Sequence, residues 1–121
     1  MPSILIIDDS PTEVYELSRI LKKHKHTVKV AKNGDEGLKM AKDIRPELIL
    51  MDVVMPGVNG FQATRQLSRH EITKNIPVII VSTKDQDTDK VWGMRQGARA
   101  YLVKPVTEAQ LIKTVNDALA E

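Results

Sequence analysis

The chain of 121 residues predicts a single α/β domain, a (βα)5 three-layer sandwich around a parallel sheet of strand order 2-1-3-4-5. Three observations predict it. Five short apolar runs recur along the chain, segments of helical period separate them, and polar groups stand at the exits of four of the five runs. Each parallel return needs a crossover, so strand and helix alternating five times implies helices on both faces of the sheet. Exits one, three, four and five can converge on one edge only if the first and third strands are neighbours and the second is at the margin. Ligands of open parallel sheets bind outside the carboxyl ends of the strands, so chemistry is expected there.

The first run, Ile4 to Ile7, leads into Asp8-Asp9. The stretch "SPTE" then predicts a helix start: Ser10 as N-cap, Pro11 in the first helical position, and Glu13 reaching back to complete a capping box. Val14, Leu17 and Leu21 follow at helical spacing. The second run, Thr27 to Ala31, ends in the plain turn sequence Ala31-Lys32-Asn33-Gly34, and Gly34 and Gly37 dilute the helical pattern that follows. The third run, Leu48 to Met51, comes after Pro46 and stops at Asp52; Met55, Pro56 and Gly57 turn the chain, and Phe61, Thr64 and Leu67 mark the third helix. The fourth run, Val78 to Val81, follows Pro77 and exits at Ser82-Thr83, with Gly93 inside the fourth helix at a cost of about 1 kcal/mol relative to Ala. The fifth run, Ala100 to Val103, exits at Lys104-Pro105, and Leu111, Val115, Ala118 and Leu119 set the last helix. Nothing is left over for a second domain.

Charge excludes several function classes. Eighteen Lys and Arg against 16 acids give a formal +2, too small to imply nucleic acid. The basic cluster Lys22, Lys23 and Lys25 with His24 and His26 falls where the first helix should end, and cations favour that end of the dipole. No apolar stretch approaches the roughly 20 residues needed to span a bilayer, and the start lacks a secretory pattern. A cytoplasmic monomer without DNA binding or membrane insertion is expected.

Three carboxylates from Asp8, Asp9 and Asp52 at one sheet edge repel one another and need a cation or a proton. A hard divalent ion with oxygen ligands meets that need, and Mg2+ typically takes one or two carboxylates, waters and phosphate oxygens. Zinc is disfavoured: there is no Cys, and His24, His26 and His70 lie away from this edge. One carboxylate can then attack phosphorus to give an acyl phosphate, with Lys104 adding positive charge and Ser82 a hydroxyl for the transferred oxygens. A phosphohydrolase of the haloacid dehalogenase kind needs a second acid two residues after its nucleophile, where this chain has Val54. A nucleotide hydrolase would carry a glycine-rich loop ending in Gly-Lys-Ser/Thr, which is absent. A flavodoxin-like electron carrier gives no reason for the acids to cluster.

"ILIIDDS", "LILMDVVMPGVNGF", "PVIIVST" and "AYLVKP" together resemble the receiver domain of two-component response regulators, with its flavodoxin/CheY-like fold. The resemblance covers the whole chain, residues 1–121, with no output domain. It implies that Asp52 is the phosphoacceptor and that Asp8, Asp9, Asp52 and the backbone carbonyl of Val54 hold Mg2+. It implies further that Lys104 pairs with the phosphoryl group, that Ser82 is the switch hydroxyl, that the rotamer of Tyr101 follows it, and that Lys104-Pro105 is cis. Thr83 and Val54 would screen or admit the water that removes the phosphoryl group. On this reading the chain is a phosphoacceptor that phosphorylates and dephosphorylates itself with Mg2+, not an enzyme. "DDSPTE", "GFQATRQL", "STKDQDTDKVWG" and "RQGARAYLVKPV" resemble a narrower group, the single-domain regulators of type IV pilus chemosensory systems that control twitching motility. The expected partners are a histidine kinase or its phosphotransfer domain, and an output protein on the face of helix 4, strand 5 and helix 5. That face should include Lys90, Met94, Arg99, Tyr101 and Lys113. The alternative within the family is a phosphate sink or relay intermediate in another pathway. Trp92 reads equally as a partner anchor or as a packed side chain.

Overall fold

The computed structural model describes residues 2–121. Strands β1 (Ser3–Ile7), β2 (Thr27–Ala31), β3 (Leu48–Met51), β4 (Val78–Ser82) and β5 (Ala100–Val103) pair in parallel in the order β2-β1-β3-β4-β5. Helices α1 (Pro11–Lys23), α2 (Gly34–Ile44), α3 (Gly60–Arg69), α4 (Asp87–Arg95) and α5 (Glu108–Leu119) make the crossovers. The expected topology therefore stands. β4 runs one residue further than its apolar pattern, so Ser82 is its last residue, in register with Val103.

Successive strand side chains point to opposite faces, and the apolar runs fill two layers on that rule. Leu5, Ile7, Ile49, Met51 and Ile80 face Leu38, Ala41, Ala63 and Leu67 of α2 and α3. Ile4, Ile6, Leu48, Leu50, Ile79 and Val81 face Leu17 and Leu21 of α1 and Leu111 and Val115 of α5. Of the three central strands β3 and β4 are buried throughout and β1 at every residue but Ser3, whereas β2 alternates and β5 is only partly covered, as margins should be. Gly37 explains why α2 tolerates a glycine: a Cβ there would collide with Ile7 Cδ1, so the helix lies closer to the sheet than any other residue allows.

The start of α1 differs from the expected capping box. Ser10 Oγ accepts from Glu13 N at 3.4 Å, but Ser10 N donates to Asp8 Oδ1 at 2.9 Å, which leaves the Glu13 side chain without that partner. The Asp8 carboxylate, two residues before Ser10, occupies the N–H that the Glu13 side chain would otherwise reach. Complete boxes occur instead at α3 (Asn59 with Gln62) and α5 (Thr107 with Gln110). At the other end of α1, Lys23 and His24 both reach Glu108 Oε2 at 3.0 Å, so part of the basic cluster ties α1 to α5. Among the described residues no helix is long and apolar enough to cross a membrane.

Candidate functional site

The hydrogen-bond ladder continues one residue past the ends of β1 and β3, with Asp8 N on the Ala31 carbonyl at 3.1 Å and Asp52 N on the Ile7 carbonyl at 2.9 Å. Those bonds hold the acids side by side at the sheet edge. One carboxylate oxygen from each of Asp8, Asp9 and Asp52 lies within 4.8 Å of the others. Asp8 and Asp52 are buried and Asp9 is exposed. Lys104 Nζ reaches in from the end of β5, 3.2 Å from Asp8 Oδ2 and 3.3 Å from Asp52 Oδ1, with Glu13 Oε2 at 4.0 Å. The Lys104 backbone N–H donates to the Ser82 carbonyl at 2.8 Å, and the Lys104-Pro105 peptide is cis.

Burial, and then the charge of Asp8, raise the pKa of Asp52 above the ordinary carboxylate value, with Lys104 pulling the other way. For Lys104 burial favours the neutral form, yet Asp52 and Asp8 together outweigh it and hold the ammonium above its usual pKa. One ammonium faces three carboxyl groups, and the donors are all hard oxygens with no sulfur or imidazole among them. This donor set fits Mg2+ and does not fit a structural zinc site.

The loop after Asp52 owes its shape to two glycines. Gly57 takes φ +77°, a left-handed turn. Gly60 opens α3 directly against the acid's own backbone: its N–H donates to the Val53 carbonyl at 2.9 Å, and a Cβ would collide with the Asp52 carbonyl oxygen and lie 2.7 Å from Val53 Cα. Thr64 Oγ1 donates to the Gly60 carbonyl at 2.7 Å and fastens the same turn. Sequence reasoning did not single out Gly60. Its signal was a glycine at the first helical position behind an Asn cap, where propensity alone would not choose it. Val53 is buried, whereas Val54 is 60% exposed beside the acids.

Ser82 is buried at the end of β4, and its Oγ accepts from Lys84 N at 3.1 Å. Tyr101 Oη donates to the Lys84 carbonyl at 2.8 Å. The Lys84 residue is thus held on one side by the serine and on the other by the tyrosine. Burial raises the pKa of the Tyr101 hydroxyl, and Ser82 beside it acts in the opposite sense. Thr83 is exposed.

Beyond that loop, α4 exposes Val91, Trp92 and Met94 and buries only Gly93. Trp92 is 48% exposed, so it is not a core side chain. Of the cations expected on this face, Arg99 is paired with Glu121 and Lys113 with Asp117, while Lys90 has no ion pair among the described residues. A groove of about 530 Å³ between α1 and β2 opens beside the acids, lined in part by Asp8, Asp9, Tyr15 and Lys32. A second, of about 340 Å³ between α2 and α3, is lined by Lys42, Arg65 and Arg69. Lys42 and Arg69 stand in the last turns of their helices, where cations complement the dipole.

The family model of the response regulator receiver domain matches residues 4–116. Protein PilH of Pseudomonas aeruginosa is 61% identical over 120 residues, which are 99% of this chain and 99% of that protein. The transcriptional regulatory protein AfsQ1 of Streptomyces coelicolor is 39% identical over 88% of this chain, which spans 46% of that longer protein. Among solved structures, the chemotaxis protein CheY4 of Vibrio cholerae superposes with a TM-score of 0.91 at 30% identity, covering 98% of both chains.

Proposed function

The chain belongs to the response regulator receiver domain family, and from that premise we propose that it is a single-domain response regulator phosphorylated on Asp52 by a histidine kinase or its phosphotransfer domain. Its output is control of type IV pilus twitching motility. The observation that carries the first statement is one buried carboxylate, Asp52, held at a strand end beside Asp8, Asp9 and the Lys104 ammonium. The second is supported by the motifs shared with type IV pilus regulators and by the 61% identity to PilH over nearly the full length of both chains.

In the reaction an Asp52 carboxylate oxygen attacks phosphorus, and the new P–O bond forms as the bond to the donor's leaving atom breaks. The leaving atom departs with that electron pair and takes up a proton. Asp8, Asp9 and Asp52, with the Val54 carbonyl, would hold Mg2+, which when bound neutralises the charge gathered from carboxylates and phosphoryl oxygens. Burial strips water from the Asp52 carboxylate, and the negative Asp8 beside it makes delivery of its charge to phosphorus more favourable. Lys104, already 3.3 Å from the attacking carboxylate, follows the negative charge onto the phosphoryl oxygens. The Ser82 hydroxyl rotates off the Lys84 N–H and donates to a phosphoryl oxygen. That releases one side of Lys84, and the loop, Tyr101 and the surface of α4, β5 and α5 adjust in turn. The phosphoryl group is lost when water attacks phosphorus and Asp52 leaves; Val54 and Thr83, both exposed, set the access of that water.

Intact mass after incubation with Mg2+ and acetyl phosphate tests this reading. A single phosphoryl adduct is expected, absent without the metal and absent in Asp52→Asn. An adduct that persists in Asp52→Asn would sink the assignment of the nucleophile.

A further inference from the structure

A glycine inside a nine-residue helix is a poor choice for helix stability, and α4 has one, Gly93, as its sole buried residue. Its surroundings give the reason. Ile80 of β4 and Tyr101 of β5 are register partners, so their side chains rise together from the sheet on the side that α4 covers. Gly93 lies directly over the pair: a Cβ there would stand 2.9 Å from Ile80 Cδ1, 2.9 Å from Tyr101 Cδ2 and 3.1 Å from Tyr101 Cε2. The ring edge occupies the space a side chain would take. Its hydroxyl is then placed to donate to the Lys84 carbonyl at 2.8 Å.

We propose that Gly93 is a positioning residue, a notch in α4 that seats the Tyr101 ring and thereby sets the resting arrangement of the loop around Ser82. The inference rests on the reading of Tyr101 as the aromatic that follows Ser82. The atoms that a methyl group at residue 93 would meet belong to two side chains, the Ile80 terminus and the tyrosine ring. The ring has the larger overlap, with two atoms inside van der Waals distance, so it is the ring that leaves. Its departure breaks the bond to Lys84 and frees the loop without touching Asp52.

The test is a cycle of urea midpoints in the full chain. Gly93→Ala should lower the midpoint when Tyr101 is present and raise it in the Tyr101→Ala background, where only the better helix propensity of alanine remains. The Ile80→Val background, which removes the other neighbour, should still show the fall. In NMR spectra the native chain should give a contact between the Tyr101 ring protons and the Gly93 α-protons, and Gly93→Ala should shift the ring signals away. Phosphoryl uptake from acetyl phosphate with Mg2+ should persist in Gly93→Ala, while the response of the Tyr101 ring signals to phosphorylation is lost. A midpoint change of the same sign with and without Tyr101 would overturn the notch, as would relief by Ile80→Val in place of Tyr101→Ala. A native chain that takes no phosphoryl group defeats the wider reading, yet the midpoints still decide what Gly93 does.

Discussion

Two neighbouring helices on the same side of the sheet, α3 and α4, are held in opposite ways. α3 buries Gly60, Ala63, Thr64 and Leu67 and packs its first residue against the backbone of Asp52. α4 buries Gly93 alone and leaves Val91, Trp92 and Met94 about half exposed. The two helices divide the labour. The helix that frames Asp52 is fastened by backbone contact and apolar burial, so the acid keeps its place. The helix next to the Ser82 loop buries one residue only, so apolar burial fastens it less than α3.

The contrast is broken first at its strongest point. Gly60→Ala should cost more than about 3 kcal/mol, because the added methyl meets backbone that cannot step aside. Urea denaturation measures it, and a loss below about 1 kcal/mol would mean that the turn after Asp52 is softer than its contacts imply. Next, Leu67→Ala in α3 should cost about 2–5 kcal/mol as a cavity in a fully packed site. Met94→Ala in α4 should stay within about 0.5 kcal/mol. Equal losses at the two positions would erase the distinction between the helices.

Placing Asn at Val54 should change the decay of the phosphoryl group several-fold, about 1 kcal/mol of barrier, if this exposed side chain borders the path of the attacking water as proposed. An unaltered decay, followed by mass or by a radioactive label, would remove Val54 from that role. The smallest expected effect lies away from both helices. His26 is buried with its Nδ1 unpartnered, and burial, aided by His24 and opposed by Glu47, lowers its pKa below 6.5. Between the folded and unfolded values the unfolded chain binds more protons, so stability should fall as pH drops below 6.5. His26→Leu should flatten that slope, and an identical slope in the variant would assign the acid sensitivity to other groups.

Much of this architecture was legible in the residues. Continuous apolar runs such as "LILM" marked strands buried on both faces, and the polar groups at four strand exits implied their order before any contact was known. The glycines were the opposite case. Gly34, Gly37 and Gly93 weakened the second and fourth helices as patterns, and Gly60 drew no notice, because a missing side chain has no periodicity or chemistry of its own. Glu13 misled for a related reason: the capping motif is local, but Asp8 competes for the Ser10 N–H from just outside it.

What the sequence determined by itself was the identity and spacing of the chemical groups: apolar runs of strand length, helical periods between them, and Asp8, Asp9, Asp52, Ser82 and Lys104 at the exits. Tertiary structure alone decided how close those groups stand and what they touch. The 3.3 Å between Lys104 and Asp52, the hold of Tyr101 on Lys84, and the seat of a tyrosine ring on Gly93 all join residues that lie on different strands, loops or helices. Such contacts depend on the packing of whole layers against one another, and no local pattern encodes a distance across them.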